Sequence, residues 1–175
     1  MGPLAPDVGV LRWDHPGPAL WPRATDVDAD LGASSGAPWL EQYARAARRR
    51  LAADRAPAVV GHGDWWSDNV RFTGGRLLAV DDWDSVVALP EAALAGAAAA
   101  LHAGGASTLA ETDAFLEGYA QARRRPWTRD EREIGWAAGL WARLFDARKE
   151  LALGSSASVA RLRADVADRA GRAGL

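Results

Sequence analysis

The chain contains no cysteine, which removes a disulfide framework, a thiolate zinc site and a cysteine nucleophile together. It has no large excess of either charge, with 21 Lys and Arg against 23 Asp and Glu, so no global positive field draws it to nucleic acid or an anionic membrane. Its longest small-apolar run, near residues 92–103, falls short of the roughly 18 apolar residues that span a bilayer. The N-terminus lacks a basic start followed by an apolar stretch, and Pro6 stands where a myristoylation signal wants Ser or Thr, so a cytoplasmic location is the expectation. Two residue types are nearly absent, each occurring once: Lys149 and Asn69.

What is present is an ordinary globular balance, 49% hydrophobic and 25% charged over 175 residues, enough for one domain with a real core. Residues 1–36 hold five of the nine prolines and no sustained apolar period, and read as an irregular lead-in anchored elsewhere. From 37 to 175 the pattern is that of a single, mostly helical unit. Pro38 suits a first helical turn, and Trp39, Leu40, Tyr43, Ala44, Ala47 and Leu51 recur at helical spacing. Arg48, Arg49 and Arg50 fall near that helix's C-terminal end, where cations complement the dipole. The run Ala56–Val60 reads as a strand, and Gly74-Gly75 between two short apolar runs predicts a β hairpin. After Pro90 the chain turns helical. Thr108 with Glu111 and Thr128 with Glu131 predict two capping boxes, the second opening a central buried helix, and Val159, Leu162 and Val166 predict a last amphipathic helix. The run Arg123–Arg125 is expected to end a helix on the surface.

The chemistry concentrates in His62-Gly63-Asp64-Trp65-Trp66-Ser67-Asp68-Asn69 and in Asp81-Asp82-Trp83-Asp84 one hairpin later. A hairpin returns the chain to its starting end, so an aspartate, an amide and a second aspartate can converge. Magnesium takes hard oxygen ligands, with one or two carboxylates from the protein and the rest from phosphate and water, and Asn69 and Asp82 supply such donors. Asp64 could then orient an acceptor hydroxyl and take its proton.

This pattern resembles the aminoglycoside phosphotransferase and choline kinase family, whose fold is similar to that of protein kinases. His62-Gly63-Asp64 with Asn69 looks like the catalytic loop, with the Asp-to-Asn spacing of H-R-D-x-x-x-x-N, and Asp82-Trp83-Asp84 looks like the metal-binding D-F-G segment with Asp84 in place of glycine. The resemblance runs from about Trp39 to about Phe145 and includes Phe115-Leu116-Glu117-Gly118-Tyr119. It implies Asp64 as catalytic base, His62 as support for the loop, and Asn69 and Asp82 as magnesium ligands that also bind the cofactor ATP. Asp84 could assist at the metal or cap a turn. The implied fold is α+β, mostly α, a protein-kinase-like C-terminal lobe with a small β hairpin carrying the active-site loops.

A kinase of this kind also needs an N-terminal lobe with a glycine-rich loop and a strand lysine. No such loop precedes His62, and Lys149 follows the metal motif. The expectation is therefore a C-terminal lobe alone, from a truncated gene, a misplaced start, or a chain completed by a complementing N-terminal lobe. The implied activity is phosphorylation of a small-molecule hydroxyl. The five aspartates between residues 64 and 84 suit a cationic acceptor resembling an aminoglycoside or choline. Two rivals stand beside it. One is a non-catalytic remnant or binding module prone to self-association through the apolar surface left uncovered. The other is a metal-dependent hydrolase using His62, Asp64 and Asp82, which lacks H-E-x-x-H. Trp65 and Trp66 are expected in the core, Asp68 in solvent, Asp81 capping or solvated, and His15 and His102 without function.

Overall fold

The computed structural model describes residues 13, 15, 19–24, 27–102 and 107–175. Helix α1, Pro38–Ala52, starts on the proline and buries Leu40, Ala44, Ala47 and Leu51 along one stripe. Strand β1, Ala58–His62, leads to the site; β2, Val70–Thr73, and β3, Arg76–Val80, form the expected hairpin, with Gly74 and Gly75 at φ 54° and 76° in the turn. These positive angles are the ones a two-residue hairpin turn demands and glycine adopts without strain. Strand β4, Val86–Pro90, was not anticipated. It pairs antiparallel with β1 from Ala58–Pro90 to His62–Val86, a partnership across the whole hairpin that no local pattern announces. Among the described residues the β portion is two separate two-stranded sheets.

Helices α2, Glu91–Leu101, α3, Leu109–Ala122, α4, Arg129–Ala152, and α5, Ala157–Arg172, complete the order, and both capping boxes form as expected. Helix α4 is the core's axis, burying Ile134, Trp136, Leu140, Trp141, Leu144 and Phe145, with α1, α2 and α5 packed around it. Glycine sets the closest crossing: a Cβ on Gly96 of α2 would lie 1.9 Å from the Gly135 carbonyl oxygen of α4. The alanine-rich α2 is buried almost all round because small side chains let backbones approach.

The lead-in is tied down by arginines reaching from the helices. Arg148, 2% exposed, donates to the carbonyls of Leu31, Asp30 and Ala33 at 3.1, 3.3 and 2.8 Å. Trp21 packs 5.5 Å from Trp141 and 6.2 Å from Phe145. Pro3, Pro6, Pro16, Pro18 and Ala103 lie outside the described residues. The run Arg123–Arg125 ends α3 as expected, with Arg124 and Arg125 exposed, but Arg123 is drawn inward. Arg123 lies 3.5 Å over the Trp127 ring and pairs with Glu91 at 2.7 Å, because a guanidinium can stack on an aromatic face and reach a carboxylate at once. The observed fold is thus α+β and mostly helical. No helix among the described residues is long and apolar enough to cross a membrane.

Candidate active site

Strand β1 delivers His62 to the end of its sheet, and the chain then turns through Asp64 into a single 3-10 turn, Ser67–Asn69, before β2. After β3 it reaches Asp81 and Asp82, and a second 3-10 turn, Trp83–Ser85, feeds β4. Backbone bonds stitch the two segments together: Gly63 N–H donates to Ser85 O at 2.7 Å and Asp81 N–H to Asn69 O at 2.8 Å. Two stretches twenty residues apart thereby become one surface.

His62 bridges them. Its Nε2 lies 2.9 Å from the Asp81 carbonyl and its Nδ1 3.2 Å from the Asp64 backbone N–H. One tautomer satisfies both contacts, the neutral ring protonated at Nε2 and accepting at Nδ1. Trp83 and Trp65 meet the ring edge-on at 5.3 and 6.0 Å. Trp83 is itself held by a 2.7 Å bond from Nε1 to the Val80 carbonyl.

Asp64 is the half-buried carboxylate of the site. Asn69 Nδ2 donates to its backbone carbonyl at 3.0 Å and to its Oδ2 at 3.2 Å, while Oδ1 is buried with no hydrogen-bond partner among the described residues. Burial pushes this carboxyl above its usual range, the Asn69 bond opposes the shift, and the Asp82 charge adds to it. Asp82 is exposed and adopts the left-handed region, φ 61° and ψ 48°, unusual for a residue with a side chain. Its carboxyl is pushed up by hydrogen bonding with Asp84 and by the Asp84 charge beside it.

The loops bring His62 to Asp64, Asn69 to Asp64, and Asp82 to Asp84, whereas Asn69 bonds Asp64 and not Asp82. No group of three or more His, Cys, Asp or Glu able to hold a metal occurs among the described residues. The hydrolase alternative, which needs a ligand cage of its own, gains no support from that arrangement. The carboxylates of Asp82 and Asp84 lie beside one another, a donor set whose chemistry fits a hard divalent ion completed by phosphate and water.

Four smaller expectations concern residues around the site and the histidines. Asp81 is neither a cap nor solvated alone: Arg71 grips it from β2, Nε to Oδ2 at 2.8 Å and Nη2 to Oδ1 at 3.0 Å, because residues near facing strand ends lie within reach. Trp65 and Trp66, on the loop between β1 and β2, are only partly buried rather than in the core. Asp68 is exposed, as expected. His15 and His102 direct their rings to the carbonyls of Leu20 and Ala99. One charged group was missed. Lys149 of α4, 3.3 Å from Asp146, makes a small charge contribution that opposes the upward shift of the Asp64 carboxyl, although it is remote from it in chain order. Its being the chain's single lysine, on the face of a buried helix, was the available signal.

Comparison with known families gives the sequence a match to the phosphotransferase enzyme family, APH, over residues 3–127. The match begins within the lead-in, earlier than the Trp39 expected, and stops before α4 rather than at Phe145. No curated protein and no solved structure matches the chain. The matched stretch holds the whole His62–Asn69 and Asp81–Asp84 surface together with the hairpin that folds one onto the other, and covers well over half of the sequence; the chain belongs to the aminoglycoside phosphotransferase-like phosphotransferase family.

Proposed function

We propose that this chain is the catalytic half, equivalent to a kinase C-terminal lobe, of an enzyme that moves the terminal phosphoryl group of ATP to a hydroxyl on a small cationic molecule. The observation that carries the reading is the state of Asp64: one carboxylate oxygen fixed by Asn69, the other short of a donor. An acceptor hydroxyl supplies that donor. As its oxygen forms the new bond to phosphorus and the bond to the leaving ADP oxygen breaks, its proton passes to Asp64. His62 is a positioning residue, holding the Asp64 backbone and the Asp81 carbonyl in one frame. Asp82, with Asp84 beside it and the Asn69 amide oxygen, would hold magnesium, which when bound offsets the phosphate charge. The cluster of aspartates favours a cation such as an amino sugar or a choline-like compound.

The test is calorimetric titration of the chain with ATP, with and without magnesium, beside Asp82→Ala. Magnesium-dependent binding lost in the variant supports the reading, and the next assay is phosphate transfer to amino-sugar and choline acceptors. No binding by either protein overturns the active-kinase reading.

A second reading, a non-catalytic module acting by association, draws on a specific observation. Val60, Phe72, Leu78 and Trp83 are 76%, 64%, 64% and 58% exposed on and beside the two small sheets. Apolar side chains so placed favour a covering partner, either a complementing lobe or a second copy. Sedimentation velocity separates the two: a monomer that binds ATP favours the kinase, and a self-associating chain that does not bind favours the module.

A further inference from the structure

The β2–β3 hairpin is exposed on both faces. Arg71, Phe72 and Thr73 of β2 and Arg76, Leu77 and Leu78 of β3 are all exposed, and successive residues of a strand point to opposite sides. Phe72, Leu77 and Leu78 keep 64%, 54% and 64% of their surface. Phe72 stands opposite Leu77, and Leu78 is the extra residue at the register shift, so the apolar groups gather midway along the hairpin. Trp83, 58% exposed, continues them at the base, where its Nε1 bonds the Val80 carbonyl at 2.7 Å. A two-stranded hairpin bare on both faces is marginal in water, and large apolar side chains grouped on a surface mark a place of contact.

Charge on the hairpin is divided by end. Arg76 is exposed at the tip, beside the Gly74-Gly75 turn. Asp68, Asp82 and Asp84 are exposed at the base, the last two with their carboxylates beside one another. Arg71 is engaged by Asp81 of its own chain at 2.8 Å, so the cation presented outward is the one at the tip. The five residues of β3 span about 17 Å between these opposite charges. A second hairpin laid antiparallel on the first, about a two-fold axis near Leu78, sets each tip at the other's base. Arg76 of each copy then meets aspartates of the other, and the apolar groups of both are covered around the axis. A parallel arrangement would oppose arginine to arginine and aspartate to aspartate, and like charges placed opposite one another select against it. A two-fold contact uses one patch twice, which needs a surface complementary to itself, as this one is. We propose that the hairpin is the docking surface for a second copy of this chain, in an antiparallel two-fold dimer closed by Arg76 of each copy on the Asp82 and Asp84 carboxylates of the other. The proposal rests on the association reading given above and names its occupant; whether the aspartate loops also transfer phosphate does not enter it.

The test is sedimentation velocity over a concentration series, in buffer holding a chelator and no nucleotide. The proteins are the unaltered chain, Arg76→Glu, Leu78→Glu, the charge exchange Arg76→Glu/Asp84→Arg, and Leu153→Glu, an apolar residue 67% exposed after α4. A dimer is expected, at least about tenfold weaker in Arg76→Glu and in Leu78→Glu, tighter again in the charge exchange than in Arg76→Glu, and unchanged in Leu153→Glu. Arg76, Leu78 and Asp84 are exposed, so melts of the variants at a concentration where the chain is monomeric should match those of the unaltered protein. A chain monomeric at every concentration overturns the proposal. A dimer equally strong in Arg76→Glu and Leu78→Glu overturns it too, by placing the contact elsewhere while the association reading stands, and a charge exchange no tighter than Arg76→Glu overturns the antiparallel pairing. ATP binding is read separately by calorimetry, so failure of the kinase reading and failure of this dimer are distinct results.

Discussion

Asn69 holds Asp64 at two points, its Nδ2 lying 3.0 Å from the backbone carbonyl and 3.2 Å from Oδ2 of the carboxylate. The amide thus fixes the loop and the orientation of the acid together. Asn69→Asp turns that donor into a second carboxylate facing a half-buried one. The expected cost is about 1–3 kcal/mol of stability at neutral pH, measured by urea denaturation. The variant should also lose magnesium-dependent ATP binding; full stability and full binding would show that the two contacts carry no weight.

Asp82 combines a left-handed backbone with a neighbouring carboxylate, two unfavourable features at one residue. Asn tolerates that backbone and carries no charge, so Asp82→Asn is expected to raise the melting temperature slightly while removing magnesium-dependent ATP binding. A lower melting temperature would mean that the acid is held for structure.

The crossing of α2 and α4 leaves no space for a methyl group at Gly96, where a Cβ meets the Gly135 carbonyl at 1.9 Å. Gly96→Ala must separate two backbones, and overpacking of this kind costs about 1–3 kcal/mol or more. Gly118 of α3 is the control, since nothing lies within 4 Å of its added Cβ. Gly118→Ala should stabilise by about 1 kcal/mol through helix propensity. Chemical denaturation of both reads the contrast; equal effects would remove the close crossing as the cause.

Glu131 closes the second capping box and pairs with Arg125 at 2.6 Å. Burial pushes its carboxyl up, but the Arg125 bond and the Thr128 backbone and hydroxyl outweigh this and bring it down to about 2. A carboxyl lowered on folding contributes stability that is complete above its ordinary value of 4.5, declines as pH falls, and is gone below about 2. Glu131→Gln keeps the cap geometry and loses the charge. Its melting temperature should therefore fall less steeply than that of the unaltered chain between those pH values, and parallel curves would exclude the linkage.

Local rules made much of this molecule legible. Gly74-Gly75 between two apolar runs favours a hairpin turn, Thr108 with Glu111 and Thr128 with Glu131 cap helices through bonds that span three residues, and Pro38 suits a first helical turn. The spacing of Asp64, Asn69 and Asp82 likewise pointed to the family that the match over residues 3–127 shows. Other features depend on partners distant in sequence. Strand β4 exists because Val86–Pro90 meets β1 across the hairpin, and Arg148 is buried because carbonyls of the lead-in reach it. The single tautomer of His62 and the Asp64 Oδ1 without a partner among the described residues arise in the same way. The sequence determined which chemical groups and which local turns the chain possesses, since those follow from neighbours a few bonds away. Only the tertiary structure decided which groups lose water and which charges face one another, since burial and Coulomb interaction depend on distance in space.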